Sequence, residues 1–215
     1  PFDSEVTYYF AARDASAQGN LATLPFGGKG ASPPGHDPPD RWFLFRVVPV
    51  AGVITVNDDG VADCPTIQAA LDIASPGDVV RVAQGHYEEQ LKLLGRTHIT
   101  LEGGYTDDFS ARNPARFVSR VDGMGAGTVL WIENCTDVTV DGLELVNGQG
   151  GFLYVSAYWA GGFLLKGGSG NRLTRLLISD SDAYAGGGGA VCWSQDARVD
   201  RCRFTSNSAV SGGSG

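Results

Sequence analysis

The sequence predicts an all-β chain whose larger part is a β-solenoid, in which short strands wind coil upon coil around an apolar core. Three observations predict it. Short apolar strands repeat after residue 98, one amphipathic helical segment precedes them, and residues 1–48 carry strands of another kind. Because a coil of this size cannot bury its own apolar side, its strands must stack on their equivalents one coil away.

Residues 1–48 contain three segments with the alternation of β-strands, EVTYYFAARD, LATLPF and RWFLFRVV. The loop GGKGASPPGHDPPD between the last two cannot be helical. Three strands are too few for a sandwich of about seven strands. The stretch VTYYFAARDASAQGNLATLP resembles the closing strands of immunoglobulin-like or fibronectin-III-like modules. This resemblance implies that the missing strands lie upstream of Pro1.

A short helix is predicted over residues 65–74. Its apolar residues recur at i, i+3, i+4 and i+7, which places them on one face. Pro65 suits a first helical position, and Pro76-Gly77 ends the helix. We expect this helix to cover the open end of the solenoid. The four apolar residues are Ile67, Ala70, Leu71 and Ala74.

Three later segments superimpose on one another, at offsets of 33 and 26 residues. They are Val140-x-x-Leu143-x-Leu145, Leu173-x-x-Leu176-x-Ile178 and Val199-x-x-Cys202-x-Phe204. The strands before them, GTVLWIEN, GGFLLKG and GGAVCWS, superimpose as well. The sequence therefore predicts stacked coils with two or three short strands each.

Glycine pairs separate the coils, at Gly161-Gly162 and Gly188-Gly189. We expect them at the bends, because glycine reaches positive φ without steric cost. Asn207 ends its strand, and we expect it to adopt the left-handed conformation and to bond the neighbouring backbone.

The stretch PTIQAALDIASPGDVVRVAQGHYEE resembles the N-terminal cap of the right-handed parallel β-helix, or pectin-lyase-like, superfamily. HITLEGGYTDDFSARNP and GTVLWIENCTDVTVDGLELVNG also fit its members. The resemblance covers residues 52–215. It implies that residues 49–215 form the cap and first coils of such a helix, truncated at its C-terminal end.

One coil carries a more specific resemblance. GGAV at 188–191 and Phe204-Thr-Ser-Asn207 match the GGA-[ILV] and FxxN repeats of polymorphic outer-membrane proteins. That group consists of cell-surface β-helix adhesins and autotransporter passengers. The resemblance implies an extracellular or bacterial cell-surface location.

Composition limits the partners. The 215-residue chain has a net charge of −8, which disfavours nucleic acid and anionic lipid. No apolar run approaches the about 20 residues that span a bilayer. The four cysteines include no CxxC pair, which disfavours zinc. Cys192 and Cys202 are expected to face the core on adjacent strands of one coil, either as free thiols or joined in a disulfide.

Two carboxylates are weak catalytic candidates. Asp180 and Asp182 alternate onto one strand face at roughly 7 Å, within the range that glycosidases use. The alternative is that they are solvated acids of a turn. Arg201 and Arg203 beside Asp200 come nearest to the base of a lyase, but alternating charges on a strand are ordinary.

A weak calcium candidate precedes the helix. Asn57, Asp59 and Asp63 place oxygen atoms at alternate positions around Gly60. The twelfth position of such a loop needs a bidentate glutamate, and here it is Gln68. We expect no cofactor, with Ca²⁺ as the alternative.

An aromatic insert, GQGGFLYVSAYWAGG, lengthens one coil. Phe152, Tyr154, Tyr158 and Trp159 form either a contact surface for a partner or a cover for the coil's own flank. We expect a non-enzymatic structural or adhesive protein that binds carbohydrate or a cell-surface protein there, and self-assembly stays open. The alternatives are a polysaccharide lyase or glycoside hydrolase with its catalytic coils beyond residue 215, and a phage or appendage fibre component.

Overall fold

The computed structural model forms two compact units, Pro1–Val50 and Ala51–Gly215. It describes residues 51–151, 160–184 and 187–209 in full, and the strand backbones at 4–8, 10–13, 21–24 and 43–47. The strands, in chain order, are β1 Ser4–Tyr8, β2 Phe10–Arg13, β3 Leu21–Leu24, β4 Phe43–Val47, β5 Val53–Val56, β6 Val79–Ala83, β7 Gly85–Glu88, β8 Leu91–Leu94, β9 Thr100–Tyr105, β10 Ser119–Asp122, β11 Leu130–Glu133, β12 Thr139–Asp141, β13 Leu143–Val146, β14 Gln149–Gly150, β15 Phe163–Ser169, β16 Arg172–Thr174, β17 Leu177–Ser179, β18 Asp182–Ala183, β19 Ala190–Gln195, β20 Arg198–Asp200, β21 Arg203–Thr205 and β22 Ser208–Ala209. One helix, α1, spans Ile67–Ile73.

The first unit contains antiparallel pairs, β1 with β4 and β2 with β3. The first predicted strand is therefore divided into β1 and β2, and the second and third correspond to β3 and β4. The assignment of this unit to an immunoglobulin-like or fibronectin-III-like module stays a prediction.

The second unit is an all-β parallel β-helix, which confirms the predicted fold class. Its strands form four parallel sheets, in which each strand pairs with its equivalent one coil away. The six-strand sheet runs β5-β6-β9-β12-β16-β20, the five-strand sheet β7-β10-β13-β17-β21, the four-strand sheet β8-β11-β15-β19 and the three-strand sheet β14-β18-β22. No helix in the described part of the chain is long and apolar enough to cross a membrane.

The predicted repeat matches the observed register. Val140 pairs with Leu173 and Leu173 with Val199, and Leu145, Ile178 and Phe204 form a second column. In both columns the residues of the inner coils are fully buried. Full burial of such a side chain contributes about 1.5–3 kcal/mol, so these columns are the main stabilising feature.

The glycine pairs allow neighbouring coils to approach each other closely. They do not have positive φ, so that expectation was wrong. Gly161, Gly162, Gly188 and Gly189 are absent from the positive-φ glycines of the described residues. A Cβ atom added to Gly161 would lie 2.5 Å from the carbonyl oxygen of Gly188. Side chains at these positions would therefore push neighbouring coils apart.

The bend near Asn207 also differs in detail from the prediction. The left-handed residue is Ser206, at φ 55°. Asn207 lies next to it, and its Nδ2 donates to the carbonyl of Ile178 at 3.0 Å while its Oδ1 accepts from the Ser181 N–H at 3.1 Å. The expected bonding of the backbone is therefore present.

Helix α1 begins at Ile67, two residues later than predicted, with Thr66 as its N-cap, so Pro65 precedes the helix and is not its first residue. The carboxylate of Glu89 also accepts from the Ile67 and Gln68 N–H groups, at 2.7 and 2.9 Å. All four predicted apolar residues are buried. The helix contacts β5, β6 and β8, so it covers the first coil.

The two C-terminal cysteines are free thiols, so the disulfide considered from the sequence is absent. Cys192 pairs in register with the buried Leu165 and stands in an inward column. It is nevertheless exposed, because it lies on β19, the last described strand of its sheet. Cys202 is half-buried and packs against the core, as expected.

Candidate functional site

Two clefts that contain candidate residues lie on or beside the outer face of the five-strand sheet. One outward column runs along it through successive coils, as His86, Arg120, Glu144, Leu177 and Arg203. Arg120 donates to both oxygens of Glu144, at 3.1 Å each. The corner on one side of the column contains Arg175 and Arg201, and we call it the cationic corner. The corner on the other side contains Asp122 and Asp180, and we call it the acidic corner.

The larger cleft, which we call the arginine cleft, has a volume of about 590 Å³ and lies at the cationic corner. Arg175 and Arg201 follow β16 and β20 in left-handed conformations, at φ 53° and 56°. Since Thr174 and Asp200 pair in register, these arginines lie one coil apart. The lining residues are Asn113, Pro114, Ala115, Val118, Ser119, Gly142, Leu143, Glu144, Arg175, Leu176, Leu177, Arg201 and Arg203.

A buried carboxylate fixes one wall of the cleft. The side chain of Asp141 is 8% exposed and accepts from Arg175 Nε at 2.7 Å and from Arg112 Nη2 at 2.8 Å. Arg175 Nη2 also pairs with it. Burial alone would raise the pKa of Asp141, but the hydrogen bonds and charges of the two arginines outweigh it and lower the pKa. Arg175 is therefore held in place, with its charge compensated.

The segment before β10 is anchored to the same corner. Arg112 also donates to the carbonyl of Gly103 at 3.0 Å, and its guanidinium lies 5.5 Å from the centre of the Tyr105 ring. Pro114 packs against Gly104 and Gly142, where added Cβ atoms would lie 2.5–2.6 Å from its atoms. These contacts make the wall of the arginine cleft a fixed surface.

Arg175, Arg201 and Arg203 are all exposed, but Arg201 and Arg203 differ from Arg175 in their ion pairs. Neither forms an ion pair with any residue that the structure describes. The neighbouring carboxylate of Asp200 pairs instead with Arg172, at 3.3 Å. The cleft therefore carries two exposed arginines without an ion pair, beside the floor formed by Leu176 and Leu177.

The second cleft, of about 410 Å³, lies at the acidic corner and contains Asp122, Asp180 and Asp182. The two catalytic candidates therefore share a cleft, but not one strand face: Asp182 is in β18, whereas Asp180 is in a left-handed turn at φ 51°. Both are exposed, and Asp182 accepts from the Ser208 hydroxyl. Their directions differ because the chain bends between them.

Of the three acids in this cleft, Asp122 has the most hydrogen-bond partners. Its oxygens accept from the Met124 N–H at 2.8 Å and from Asn147 Nδ2 at 2.9 Å, and His86 Nε2 lies at 3.2 Å. Burial would raise the pKa of Asp122, but these hydrogen bonds outweigh it and lower the pKa. This carboxylate holds the corner and stays ionised.

The calcium candidates are used by the local backbone. Asp63 Oδ2 accepts from the N–H and hydroxyl of Thr55, at 2.8 and 2.7 Å, and these bonds lower the pKa of Asp63. Asn57 Oδ1 accepts from the Asp59 N–H at 3.3 Å. Among the described residues, no group of three or more His, Cys, Asp or Glu side chains is placed to hold a metal ion.

The four aromatic candidates, Phe152, Tyr154, Tyr158 and Trp159, lie outside the described residues. Sequence reasoning missed the cluster of Asp141, Arg112 and Arg175. A signal for part of it exists, because superposing the repeats at Val140 and Leu173 places Asp141 one coil from Thr174, next to Arg175.

The sequence matches no protein-family model and no curated protein. Two solved structures are similar to it. The pectin methylesterase from Aspergillus niger in deglycosylated form is 17% identical, with a TM-score of 0.37, over 77% of this chain and 61% of that chain. Its penultimately deglycosylated form is 18% identical, with a TM-score of 0.36, over 78% and 70%. The chain thus spans about 61% of the first structure's length.

Proposed function

We propose that this chain is part of a non-enzymatic protein, extracellular or on a bacterial cell surface, that binds carbohydrate. Its ligand at the arginine cleft is an acidic glycan. One observation carries the proposal: Arg201 and Arg203 are exposed and form no ion pair with a described residue, and they lie beside the fixed Arg175, over the leucine floor. The cleft thus concentrates positive charge on a chain whose net charge is −8.

The side chains of the cleft suit a sugar acid. A guanidinium binds carboxylate or sulfate through two parallel N–H bonds, which a point charge cannot do. The half-buried Leu177 offers apolar area to the C–H face of a sugar ring. The carboxylate of Glu144, held by Arg120, is an acceptor for sugar hydroxyl groups.

The carboxylates support binding without turnover. Asp141 is ionised and its oxygens are occupied by two arginines, so it is poorly placed to accept a proton or to attack a substrate. Asp180 and Asp182 lie in the other cleft and are exposed. A lyase or hydrolase whose catalytic coils lie beyond residue 215 remains the alternative, and a fibre component is the third.

The test is calorimetric titration of the whole chain with polygalacturonate, a sulfated glycan and a neutral glycan at two salt concentrations. Arg201→Gln and Arg203→Gln should each weaken the binding of acidic glycans about tenfold, since a charge-assisted hydrogen bond contributes more than about 1.4 kcal/mol. Arg198→Gln is the matched control, because Arg198 is exposed on the same coil but outside the cleft. Equal binding of the neutral glycan would contradict the acidic ligand.

The same incubations decide between binding and turnover. New reducing ends, unsaturated products or released methanol that disappear in Asp180→Asn or Asp141→Asn would overturn the non-enzymatic proposal. The aromatic insert is a second proposed contact. Changing Phe152, Tyr154, Tyr158 and Trp159 to Ser should weaken glycan or protein binding, and unchanged binding would remove the insert from the proposal.

A further inference from the structure

One sequence motif has no part in the cleft. Asn134-Cys135-Thr136 is the sequence's single Asn-x-Ser/Thr triplet, the pattern of an N-glycan acceptor. It lies at the corner between β11 and β12, away from the five-strand sheet. Asn134 is exposed and has a left-handed backbone, at φ 53°.

The triplet straddles the corner, with its middle residue in the core. Cys135 is fully buried, and its thiol donates to the carbonyl of Leu93 at 3.2 Å. Thr136 on the other side is half-buried. The buried thiol anchors the corner, while the acceptor side chain remains on the surface.

The neighbouring coils leave space around Asn134. Leu94, Glu133 and Lys166 pair in register, so the residues that follow them, Gly95, Asn134 and Gly167, stack at this corner. Both neighbours of Asn134 are thus glycines. The Asn134 side chain overlies Gly167, where a Cβ would collide with its oxygen. Its amide group makes no hydrogen bond to a residue that the structure describes.

We propose that Asn134 is an N-glycosylation site. In the transfer, Asn134 Nδ2 loses one proton and forms a bond to C1 of the first sugar of a lipid-diphosphate-linked oligosaccharide. The C1–oxygen bond breaks and the lipid diphosphate leaves. Because Cys135 is anchored in the core after folding, the transfer takes place on the unfolded chain. The folded corner then carries the glycan into solvent between the two glycines.

The experiment secretes the full chain from yeast with an N-terminal leader and measures its intact mass before and after peptide-N-glycosidase treatment. We expect a mass loss, with Asn134 converted to Asp in the released peptide. Asn134→Gln and Thr136→Val should abolish the glycan, whereas Thr136→Ser should keep it. Thermal melting of the secreted proteins verifies that the variants fold.

Two outcomes would overturn the proposal: an unmodified Asn134 in the folded, secreted chain, or a glycan that persists in Thr136→Val. Neither depends on what the arginine cleft binds, because Asn134 is not among the residues that line it.

Discussion

Arg175 reaches back across one coil to Asp141, and its Nε donates to Asp141 Oδ1 at 2.7 Å. The carboxylate also accepts from Arg112, which belongs to the segment before β10. One buried acid therefore joins three successive parts of the chain. Removing one partner of a buried ion pair leaves an uncompensated charge and typically costs about 3–5 kcal/mol.

We predict that Asp141→Asn lowers the free energy of unfolding by about 3 kcal/mol. Urea denaturation followed by circular dichroism measures it. Asp180→Asn is the control, because Asp180 is an exposed acid of a turn on the next coil and should change stability by less than about 0.5 kcal/mol. Equal effects of the two substitutions would show that the Asp141 cluster does not stabilise the fold.

The ion pairs of Asp141 with Arg175 and Arg112 also predict how the stability of the protein depends on pH. The pKa of Asp141 is lower in the folded protein than the unfolded value of about 3.9. Its stabilising contribution is therefore complete above that value and disappears as the pH falls through the folded-state pKa. The stability difference between the wild type and Asp141→Asn should be constant near neutral pH and shrink below about pH 4. A difference that grows on acidification would contradict this assignment.

The sequence was sufficient for the stacking of the coils, because the apolar period fixes which residues share a column, such as Val140, Leu173 and Val199. It was insufficient at the corners. There, left-handed residues rotate the following side chain out of the strand alternation, so Asp180 and Asp182 were wrongly placed on one strand face. The apolar period also does not predict the position of the segment before β10 that carries Arg112.

Leu71→Asp tests the helical cap. Leu71 is 2% exposed in the core cluster, so an aspartate there would bury an unpaired charge and should cost at least about 3 kcal/mol. Ile73→Asp is the matched control, because Ile73 is on the same helix but 63% exposed. Thermal melting and light scattering measure the outcome. A soluble Leu71→Asp with an unchanged melting temperature would show that α1 is not a required cap.

Gly142→Ala tests the anchoring of the cleft wall. Gly142 has φ 73°, and an added Cβ would lie 2.6 Å from Pro114. Gly125 has a similar φ of 63° but open space around it, so Gly125→Ala should cost only the backbone strain, about 1 kcal/mol. Gly142→Ala should cost roughly 1–3 kcal/mol more and weaken glycan binding. Equal losses of unfolding free energy in the two variants would mean that Pro114 moves aside without a measurable cost in stability.

The four free thiols should differ in reactivity according to their burial. Cys192 is exposed and should be alkylated quickly in the folded protein. Burial raises the pKa of Cys64, Cys135 and Cys202, which lowers their thiolate fraction, and Cys135 is in addition fully covered. We therefore expect one fast label, removed by Cys192→Ser, a slower one at the half-buried Cys202, and none at Cys135 before unfolding.

Peptide mass spectrometry under non-reducing conditions follows each site. Joint protection of Cys192 and Cys202 until a reductant is added would instead reveal a disulfide between them, and rapid labelling of Cys135 would contradict its place in the core.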